Sequence, residues 1–575
     1  MSDIQLIVLR RLRAPLVVLI AVYAVSIFGL VLMPGRDPDG HPWHMSLFDA
    51  FYVMTYTATT IGFGELPYPF SYAQRLWMTA SIYLSVVGWA YALGAIFALT
   101  RQPAFREALA RSRFQARVRG LTDRFFVVCG HGQSGRRLVE AFDRLGYATV
   151  VIDVQPQRLQ PLLVHEGRQP VVGVAGDARA PDLLEAAGIR RPNCQGVVVL
   201  TGDDAVSQTI AIEAKVLAPE LPVLARVKSR AAQDTLHAFG GVTVVDPFQT
   251  FAFNFGLALT QPDTLRLEDW LTGVPGAAAP ERVEVPRGHW VLVGAGRFGR
   301  ALAAALAASG LTCKAIDVDP AHCGDDDVVG TGLAEESLRR AGIDDAVGLV
   351  AGTDDDANNL AIVIAARRIK RRLFVVIRQN RVGHRALIDA AHANMRFVQA
   401  QLMANECVQL LTTPLLNRFL LLARGRSNVW AAGMCGRLRD LIGEVVPQTW
   451  AFACDPAALG MRRALIERPE PALTVGHLLV DPDDRRRRLS AVALLLLQQG
   501  RDIVLPDESI ALRAGDRILF AGDEEAERLQ WRLLGDDAAI DYVRTGKEPP
   551  RTWVGRWLAR ENRPGAPALH GANGR

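Results

Sequence analysis

The segment RFFVVCGHGQSG, residues 124–135, decides how most of this chain folds. It ends a β-branched apolar run with Gly130-x-Gly132-x-x-Gly135 and leads into the amphipathic stretch RRLVEAFDRLG. A second apolar run, ATVVID, follows and ends on Asp153. In a strand–turn–helix unit of this kind, the first glycine makes the tight turn, the second lets backbone amides approach a pyrophosphate, and the third lets helix pack on strand. The acid, about twenty residues on, is placed for a ribose hydroxyl, so the segment predicts a dinucleotide-binding type of fold.

The same unit occurs a second time. HWVLVGAGRFG, residues 289–299, contains Gly294-x-Gly296-x-x-Gly299, and the following CKAIDVD carries Asp317. Gly130 to Gly294 and Asp153 to Asp317 both span 164 positions, which predicts two copies of one domain. The match continues downstream, where GDARAPDLLEAAGI (176–189) aligns with GTGLAEESLRRAGI (330–343).

Short apolar runs alternate with amphipathic helices around both fingerprints, the pattern of a parallel sheet with helical crossovers. The segment FQTFAFNFGLAL, at the end of the first copy, reads as an amphipathic dimer-forming helix. Within the region after the second copy, 500–529 has short strands between turn residues, whereas 425–495 has no clear assignment. We therefore assign Rossmann-like domains to 121–263 and 288–424, a linker to 264–287, a C-terminal region to 425–540, and a disordered Pro-, Gly- and Arg-rich tail to 541–575.

Both copies together resemble the RCK family, regulators of conductance of potassium, whose TrkA-N-like domains form gating rings below potassium pores. The resemblance implies that the glycine loops and the following acids hold an adenine nucleotide, which is NAD or NADH, or ADP or ATP. It also implies that the Gly-Asp-Ala turn lies beside the adenine, and that 500–529 is a TrkA-C-like lobe. The implied nucleotide-binding residues are Gly130, Gly132, Gln133, Ser134, Gly135, Asp153, Gly176 and Asp177 in the first copy, and Gly294, Gly296, Arg297, Phe298, Gly299 and Asp317 in the second. Thr331 replaces the aspartate of the turn in the second copy, so the two sites are expected to differ in ligand, or the second to be weakened or structural.

The first hundred residues have a different character. Ala14–Met33 and Leu76–Thr100 are uncharged, mainly apolar runs of the length that a membrane-spanning helix requires. The segment around Met33 is a poor cleavage site, so we expect the first helix to be retained. Arginines precede the first run and follow the second, which predicts that both termini are cytoplasmic and that the protein lies in the inner (plasma) membrane. We assign 1–101 to a membrane domain and 102–120 to a basic, helical linker.

Between the two spans, Ser46 can cap a short helix over 47–54 that dips into the membrane without crossing it. The next segment, Thr60-Ile61-Gly62-Phe63-Gly64, would be extended backbone at membrane depth, which is allowed only where it is buried in protein or lines a water-filled path. Glycine at alternate positions permits the dihedral angles that turn carbonyl oxygens toward an axis. Such oxygens can replace the hydration shell of a potassium ion.

This stretch resembles the Thr-Val-Gly-Tyr-Gly filter of the potassium-channel pore family, with Ile61 for valine and Phe63 for tyrosine. Phe63 lacks the hydroxyl that would hydrogen-bond the filter to its surroundings. Because one chain supplies one filter strand, the resemblance implies a homotetramer in a lipid bilayer. Gly88 or Gly94 could let the second helix bend as a gate, although helix packing explains a membrane glycine equally well.

Composition narrows the alternatives. A balance of 65 basic and 60 acidic residues argues against a nucleic-acid partner, and seven single cysteines without Cys-x-x-Cys spacing suggest reduced, packed thiols. The acidic runs 325–327 and 354–356 have no spaced ligand pattern, so no metal site is predicted. Asp37, Asp39 and Glu65 are expected to lie on the outer side and to concentrate cations at the pore mouth.

The paired fingerprint leaves a membrane-tethered NAD-dependent oxidoreductase, or a nucleotide sensor without conduction, as the alternative function. No histidine lies in a recognisable catalytic constellation, so we predict no catalytic residue and no enzyme activity. The sequence predicts a potassium-selective channel in which nucleotide binding shifts the gate, while a purely structural nucleotide remains open.

Overall fold

The structure, a computed structural model, describes residues 3–163, 167–457, 459–467 and 470–547. The chain forms two compact units. The first contains the residues up to Thr122 together with 172–176 and 186–188, and the second contains the remainder.

The first unit is helical. Its elements are α1 (Asp3–Leu32), the antiparallel pair β1 (Gly35–Arg36) and β2 (Pro42–Trp43), α2 (Leu47–Ala58), α3 (Tyr72–Arg101) and α4 (Pro103–Arg119). Within it, Leu12–Leu32 and Tyr72–Arg101 are long and apolar enough to cross a membrane, in agreement with the predicted spans. Helices α1 and α3 pack against each other, and α2 contacts both of them, with Leu30, Val53 and Tyr56 in one buried cluster.

Local sequence explains where these helices begin. The Ser46 hydroxyl accepts a hydrogen bond from the Asp49 amide, so α2 is capped as predicted, although it continues four residues beyond the predicted end. Ser71 and Gln74 form a reciprocal capping box at the start of α3. Pro103 occupies the first turn of α4, where its missing N–H costs nothing, and the linker is helical as expected.

Each glycine fingerprint lies in a six-stranded parallel sheet of the described chain, with crossover helices as predicted. The first sheet has the order β5-β4-β3-β6-β7-β8. The elements of the first copy are β3 (Phe125–Cys129), α5 (Gln133–Arg144), β4 (Ala148–Asp153), α6 (Pro156–Leu163), β5 (Val171–Ala175), α7 (Pro181–Ala186), β6 (Cys194–Val199), α8 (Asp204–Leu217), β7 (Val223–Arg226), α9 (Arg230–Phe239), β8 (Val242–Val245), α10 (Pro247–Thr260) and α11 (Pro262–Thr272).

The second copy repeats this arrangement, with the order β11-β10-β9-β12-β13-β14. Its central strands are fully buried apolar runs, as expected of a sheet covered on both faces. Its elements are β9 (Trp290–Val293), α12 (Arg297–Ala308), β10 (Cys313–Asp317), β11 (Val328–Val329), α13 (Glu335–Arg340), β12 (Gly348–Ala351), α14 (Asp356–Ile369), β13 (Phe374–Gln379), α15 (Arg385–Asp389), β14 (Met395–Val398), α16 (Gln399–Thr412), α17 (Pro414–Arg424) and α18 (Asn428–Ile442).

Each copy contributes one helix to the core of the other, α10 from the first copy and α16 from the second. Phe255 of α10 is fully buried in the core of the second copy, with its ring edge-on to Trp290 at a centroid distance of 5.2 Å. Cys407 of α16 is buried in the core of the first copy, against the β3 and α5 side chains. The helix predicted to form a dimer therefore joins two domains of one chain.

The predicted linker 264–287 is wrong in its first part, because α11 continues to Thr272. Glu268 of α11 forms a two-pronged ion pair with Arg424 of α17, at 2.7 Å from Nε and 3.0 Å from Nη2. Leu267 and Trp270 are buried with α17 and α18 in a shared core. An amphipathic helix between two domains has little to distinguish it from a linker in sequence, and its apolar face becomes evident only against these partners.

The C-terminal lobe is larger than the predicted segment 500–529. Its antiparallel sheet has the order β15-β18-β16-β17 and begins at Gln448, inside the region that had no assignment. Its elements are β15 (Gln448–Ala453), α19 (Leu459–Arg462), β16 (Ala491–Gln498), β17 (Arg501–Val504), β18 (Arg517–Gly522), α20 (Glu524–Gly535) and α21 (Asp537–Thr545).

The predicted disordered tail 541–575 also needs correction at its start. Helix α21 continues to Thr545, and its Ile540 and Val543 side chains are fully buried in the lobe. Gly546 then ends the helix in the left-handed conformation. The prediction for 548–575 lies outside the described residues.

Candidate pore and nucleotide sites

The segment after α2 has an alternating backbone. Thr60, Gly62 and Gly64 have φ values of +64°, +69° and +97°, whereas Ile61 and Phe63 are not in the left-handed region. A left-handed residue at every second position turns successive carbonyls to the same side of the chain. A Cβ on Gly62 or Gly64 would meet no atom within 4 Å, so it is the backbone conformation that requires glycine here.

Aromatic residues of α2 contact this segment through a hydrogen bond and through ring packing. The Tyr56 hydroxyl donates to the Gly64 carbonyl at 2.5 Å, and the Ile61 amide donates to the Tyr56 carbonyl at 2.9 Å. The Phe63 ring stacks on Tyr52 and lies edge-on to Tyr56, with centroid distances of 6.4 and 5.5 Å. Phe63 carries no hydroxyl, and Tyr56 supplies a hydroxyl contact to the filter instead. Tyr56 was not among the predicted site residues, because it lies two residues beyond the predicted end of the short helix, in the part of α2 that the structure adds.

Glu65, at the end of the filter segment, has a cationic partner. Its carboxylate accepts from Arg75 Nε at 2.8 Å and Nη2 at 3.1 Å, and from the Phe70 amide at 2.9 Å. These contacts, first of all the hydrogen bond from Arg75, lower the pKa of the Glu65 carboxyl. The pair is mutually neutralised, so Glu65 does not present the uncompensated charge that the sequence analysis expected at the mouth.

The two candidate hinge glycines have different surroundings. A Cβ on Gly88 would lie 3.5 Å from Leu19 and 3.6 Å from Val22, so this glycine lets α1 and α3 pack closely. A Cβ on Gly94 would meet nothing within 4 Å. Helix α3 runs through both positions without interruption. The geometry therefore explains Gly88 by packing, and a hinge at either glycine stays a prediction.

The first glycine loop has the geometry that a pyrophosphate requires. Gly130 has φ +104°, and a Cβ there would lie 2.8 Å from the Leu200 carbonyl oxygen; a Cβ on Gly135 would lie 2.1 Å from the Gly130 oxygen. A Cβ on Gly132 would meet nothing within 4 Å, so the space above the loop is open. No side chain caps the first turn of α5, whose amides and dipole favour an anion. Ser134 is largely buried under this turn.

Asp153, at the end of β4, is buried and already hydrogen-bonded. Its Oδ2 accepts from the His131 amide at 2.6 Å and lies 3.4 Å from the Arg158 guanidinium, while Oδ1 accepts from the Gln155 amide at 2.8 Å. The carboxylate thus fixes the shape of the glycine loop through His131. The contact between Asp153 and Arg158 is the longest and most exposed of these contacts. A ribose hydroxyl would therefore displace Arg158 from the Asp153 carboxylate before it displaced the backbone amides.

The second loop repeats this arrangement. Gly294 has φ +99°, and a Cβ on Gly299 would lie 2.0 Å from the Gly294 oxygen, whereas Gly296 faces open space. Asp317 accepts from the Ala295 amide at 2.7 Å and from the Asp319 amide at 2.9 Å. Burial alone would raise the pKa of the Asp317 carboxyl, but these amides and His322 lower it overall.

Two side chains of the second loop contact other residues of the protein and do not face the space above the loop. Phe298 is buried and stacks on Phe397 at a centroid distance of 4.7 Å, so only its backbone could face a ligand. Arg297 donates to Asp246, the N-cap of α10, at 3.0 Å and lies 4.9 Å from the centre of the Phe248 ring. The sequence analysis missed Asp246. A comparison of the two copies would have drawn attention to it, because Val398 precedes the matching helix α16.

The turn predicted to lie beside the adenine already makes contacts within the protein in both copies. Asp177 forms an exposed ion pair with Arg179, at 2.7 Å between Oδ2 and Nη2, and its hydrogen bonds from Arg179 lower the pKa of the Asp177 carboxyl. In the second copy, the Gly330 amide donates to the Asp317 carbonyl at 2.9 Å, and Thr331 follows. The part of Gly176 and Asp177 in nucleotide binding stays a prediction.

Comparison with known families separates the N-terminal helices from the two domains that carry the glycine loops. The ion channel family model matches residues 16–102, and the TrkA-N domain model matches residues 126–247 and 290–398. The matched regions contain the filter segment and both glycine loops.

Individual relatives are distant. The chain is 24% identical over 246 residues to potassium channel protein 1 of Methanocaldococcus jannaschii, covering 43% of this chain and 70% of that protein. It is 22% identical over 201 residues to probable potassium channel protein 2 of the same organism, covering 35% of this chain and 57% of that protein. A solved structure of the GsuK channel bound to NAD aligns over 93% of this chain and all of that chain, with 17% identity and a TM-score of 0.46.

A two-span domain with the predicted filter segment is followed on the same chain by two Rossmann-type domains. The chain therefore contains an ion channel domain and two TrkA-N domains, the domain type expected of the RCK copies. The fold predicted from the sequence is confirmed in both parts.

Proposed function

We propose that this protein conducts potassium ions through a filter made of Thr60, Ile61, Gly62, Phe63 and Gly64, and that an adenine nucleotide on the RCK domains shifts its gate. The alternating left-handed backbone of the filter segment carries the proposal, because it directs consecutive carbonyls to one side. A row of carbonyl oxygens is the ligand set that replaces the hydration shell of potassium.

Assembly of four chains follows from the same segment. Ile61 and Phe63 are each 60% exposed in the single chain, and one strand of carbonyls can form only one wall of an ion path. Four copies around an axis complete the coordination of the ion. Arg13 precedes the apolar run Ala14–Met33, and Arg101 with the basic helix α4 follows the run Leu76–Thr100. These arginines support a plasma-membrane protein with both termini in the cytoplasm.

Both glycine loops support nucleotide binding. Each combines a left-handed first glycine, an open space above the second, and an acid that accepts from the loop amide; this acid is buried in the first copy and half-buried in the second. NAD, NADH, ADP and ATP share the pyrophosphate and ribose that such a loop recognises. A nucleotide shifts the gate only by the difference between its affinities for the open and closed states. Flux measurements separate this proposal from the enzyme alternative.

Flux from liposomes tests the proposal. Wild-type protein should release potassium much faster than sodium, with a rate that changes on addition of one of the four nucleotides. Gly62→Ala should abolish potassium selectivity, because alanine rarely adopts the left-handed conformation at this position. Gly40→Ala is the matched control, since Gly40 has φ +85° and equally open surroundings, but lies between β1 and β2.

The nucleotide part of the proposal has its own variant. Asp153→Asn should reduce or remove the nucleotide response while potassium selectivity is retained, and Asp234→Asn, an exposed change on α9, should behave as wild type. Folded, tetrameric protein that passes no potassium under any nucleotide condition would refute the channel and favour a tethered sensor or oxidoreductase.

A further inference from the structure

A cleft of about 470 Å³ lies between the first and second RCK copies. One wall is the outer face of α5, including Gln133, Arg136 and Arg137. The other wall is the short segment after β13 in the second copy, including Arg381 and His384. The cleft therefore joins the helix that follows the first glycine loop to a part of the other domain.

The lining of this cleft is cationic. Glu140 is the acidic residue of the lining, and its carboxylate is bound by Arg137 at 2.9 Å. Among the described residues, the Arg136 and Arg381 guanidinium groups have no carboxylate partner, and both side chains belong to exposed residues. Two uncompensated guanidinium groups facing one space favour a ligand with several negative charges.

Asp356 fixes the backbone position of Arg381. Its backbone amide donates to Asp356 Oδ2 at 3.0 Å, and the same oxygen lies 2.9 Å from His384 Nδ1. The Asp356 carboxylate is buried and also accepts from the Asn380 amide at 2.6 Å. The backbone of the segment is therefore anchored while the Arg381 guanidinium remains available in the cleft.

The cleft adjoins the predicted pyrophosphate site. Gln133 is the first residue of α5 and directly follows Gly132, the glycine with open space above it. A phosphate at the start of α5 would meet free amides and the positive end of the helix dipole. Any further phosphate on the same ligand would extend along α5, in the direction of Arg136.

The second glycine loop has no matching cleft chemistry. Ser229 takes the place of Arg381, since the Ser229 amide binds Asp204 as the Arg381 amide binds Asp356. Ala301 replaces Arg137, and Arg297, in the place of Gln133, is already bonded to Asp246. The two sites thus differ in charge, and the difference comes from residues outside the fingerprints.

We propose that the phosphate groups of a ligand bound at the first glycine loop are held jointly by both RCK copies, through Arg136 on α5 and Arg381 from the second copy. The inference rests on the proposed nucleotide site of the first loop and adds the second domain to it. A nucleotide and an inorganic polyphosphate both carry such phosphate groups, and both have the chemistry that the cleft recognises. Such a ligand contacts both copies at once, whereas in the second copy Arg297, at the place of Gln133, is already paired with Asp246.

Binding of defined probes to the full chain in detergent tests this inference. Calorimetric titration with ADP, ATP, NAD, adenosine and inorganic pyrophosphate should show that Arg381→Gln and Arg136→Gln each weaken the phosphate-bearing probes by roughly tenfold or more, the usual effect of losing a charge-assisted hydrogen bond. The affinity for adenosine should be unchanged. Pyrophosphate that binds wild type and competes with ADP would show that the phosphate groups alone are recognised.

Two matched controls are available. Arg300→Gln changes the residue of α12 that corresponds to Arg136, and Arg385→Gln changes an exposed arginine of the neighbouring helix that pairs with Asp389 at 3.6 Å. Neither should alter the affinity for any probe. Equal affinity of wild type and Arg381→Gln for every phosphate-bearing probe would overturn the inference, as would an equal loss in Arg300→Gln.

Failure of the inference and failure of the proposed function give different results. If nucleotides change potassium flux but Arg381→Gln binds them as wild type does, the gated channel stands and the shared site falls. If Arg381→Gln loses pyrophosphate binding but no nucleotide changes flux, the shared site stands and nucleotide gating falls.

Discussion

At the scale of single residues, the Glu65–Arg75 pair sets the charge behind the filter. We expect Arg75→Gln to expose the Glu65 carboxylate and to increase potassium flux at low ionic strength, because an uncompensated charge then attracts cations. The increase should shrink in about 0.15 M salt, where screening acts over roughly 8 Å. Flux measured at both salt concentrations checks this, with Glu65→Gln as the control.

A flux increase of Arg75→Gln that is independent of salt would contradict simple attraction of cations. If Glu65→Gln lowered flux more than Arg75→Gln did, the expectation taken from the sequence, in which Glu65 attracts cations by its charge, would be correct. The structure makes the opposite prediction, because the carboxylate already has a cationic partner at 2.8 Å.

His131, inside the first glycine loop, makes stability depend on pH. Burial lowers the pKa of the His131 imidazole below its ordinary 6.5, and the charge of Arg136 acts in the same direction. The unfolded chain therefore binds a proton as pH falls below about 6.5, whereas the folded loop binds this proton only at lower pH. The free energy of unfolding of this region therefore decreases as pH falls below about 6.5. Hydrogen exchange of β3 and α5, corrected for intrinsic rates, should report more opening at pH 5.5 than at pH 7.5.

The His131→Asn variant should lose most of this dependence on pH, since asparagine does not titrate. An unchanged dependence in the variant would assign the effect to other groups. The carboxylate of Asp153 acts against the shift but does not cancel it, because burial is the larger influence.

At the scale of secondary-structure elements, the exchanged helices make each RCK copy dependent on the other. We expect Phe255→Ala, a change in α10 of the first copy, to destabilise the second copy by about 3–5 kcal/mol, the usual cost of removing a buried phenylalanine. Hydrogen exchange of β9 and α12 should increase more than that of β3 and α5.

Phe253→Ala on the same helix is the matched control. Phe253 is 44% exposed and contacts the Arg424 guanidinium at 4.4 Å, so its loss should cost about 1 kcal/mol. Increased exchange confined to β3 and α5 in the Phe255 variant would mean that α10 serves its own domain, contrary to the exchange.

At the scale of the whole molecule, α4 is the covalent connection between the membrane domain and the RCK domains. If nucleotide binding acts on the gate through this helix, three glycines inserted after Gly120 should leave nucleotide affinity unchanged and reduce the response of flux. Titration and flux assays on the same preparation check both parts. The same insertion after Gly546, beyond the last described helix, should change neither.

A full nucleotide response in the Gly120 insertion variant would exclude transmission along α4. Reduced nucleotide affinity in that variant would instead show damage to the RCK domains, which separates loss of coupling from loss of binding.

The sequence by itself determined the elements that depend on local chemistry. Two apolar runs predicted the spans, Ser46 predicted the start of α2, and the spacing of Gly130, Gly132 and Gly135 predicted a loop whose close contacts the structure confirms. These features follow from one helix, one turn or one repeat, so neighbouring residues are sufficient to specify them.

The tertiary structure decided which distant residues meet. Arg381 and α5 line one cleft, Arg297 meets Asp246, and Tyr56 bonds to Gly64 only because packing brings separate elements together. The same holds for α11, whose apolar face became recognisable against α17 and α18. Periodicity in sequence shows that a face is apolar or charged, but the partner of that face is set by long-range packing, which a single sequence does not display.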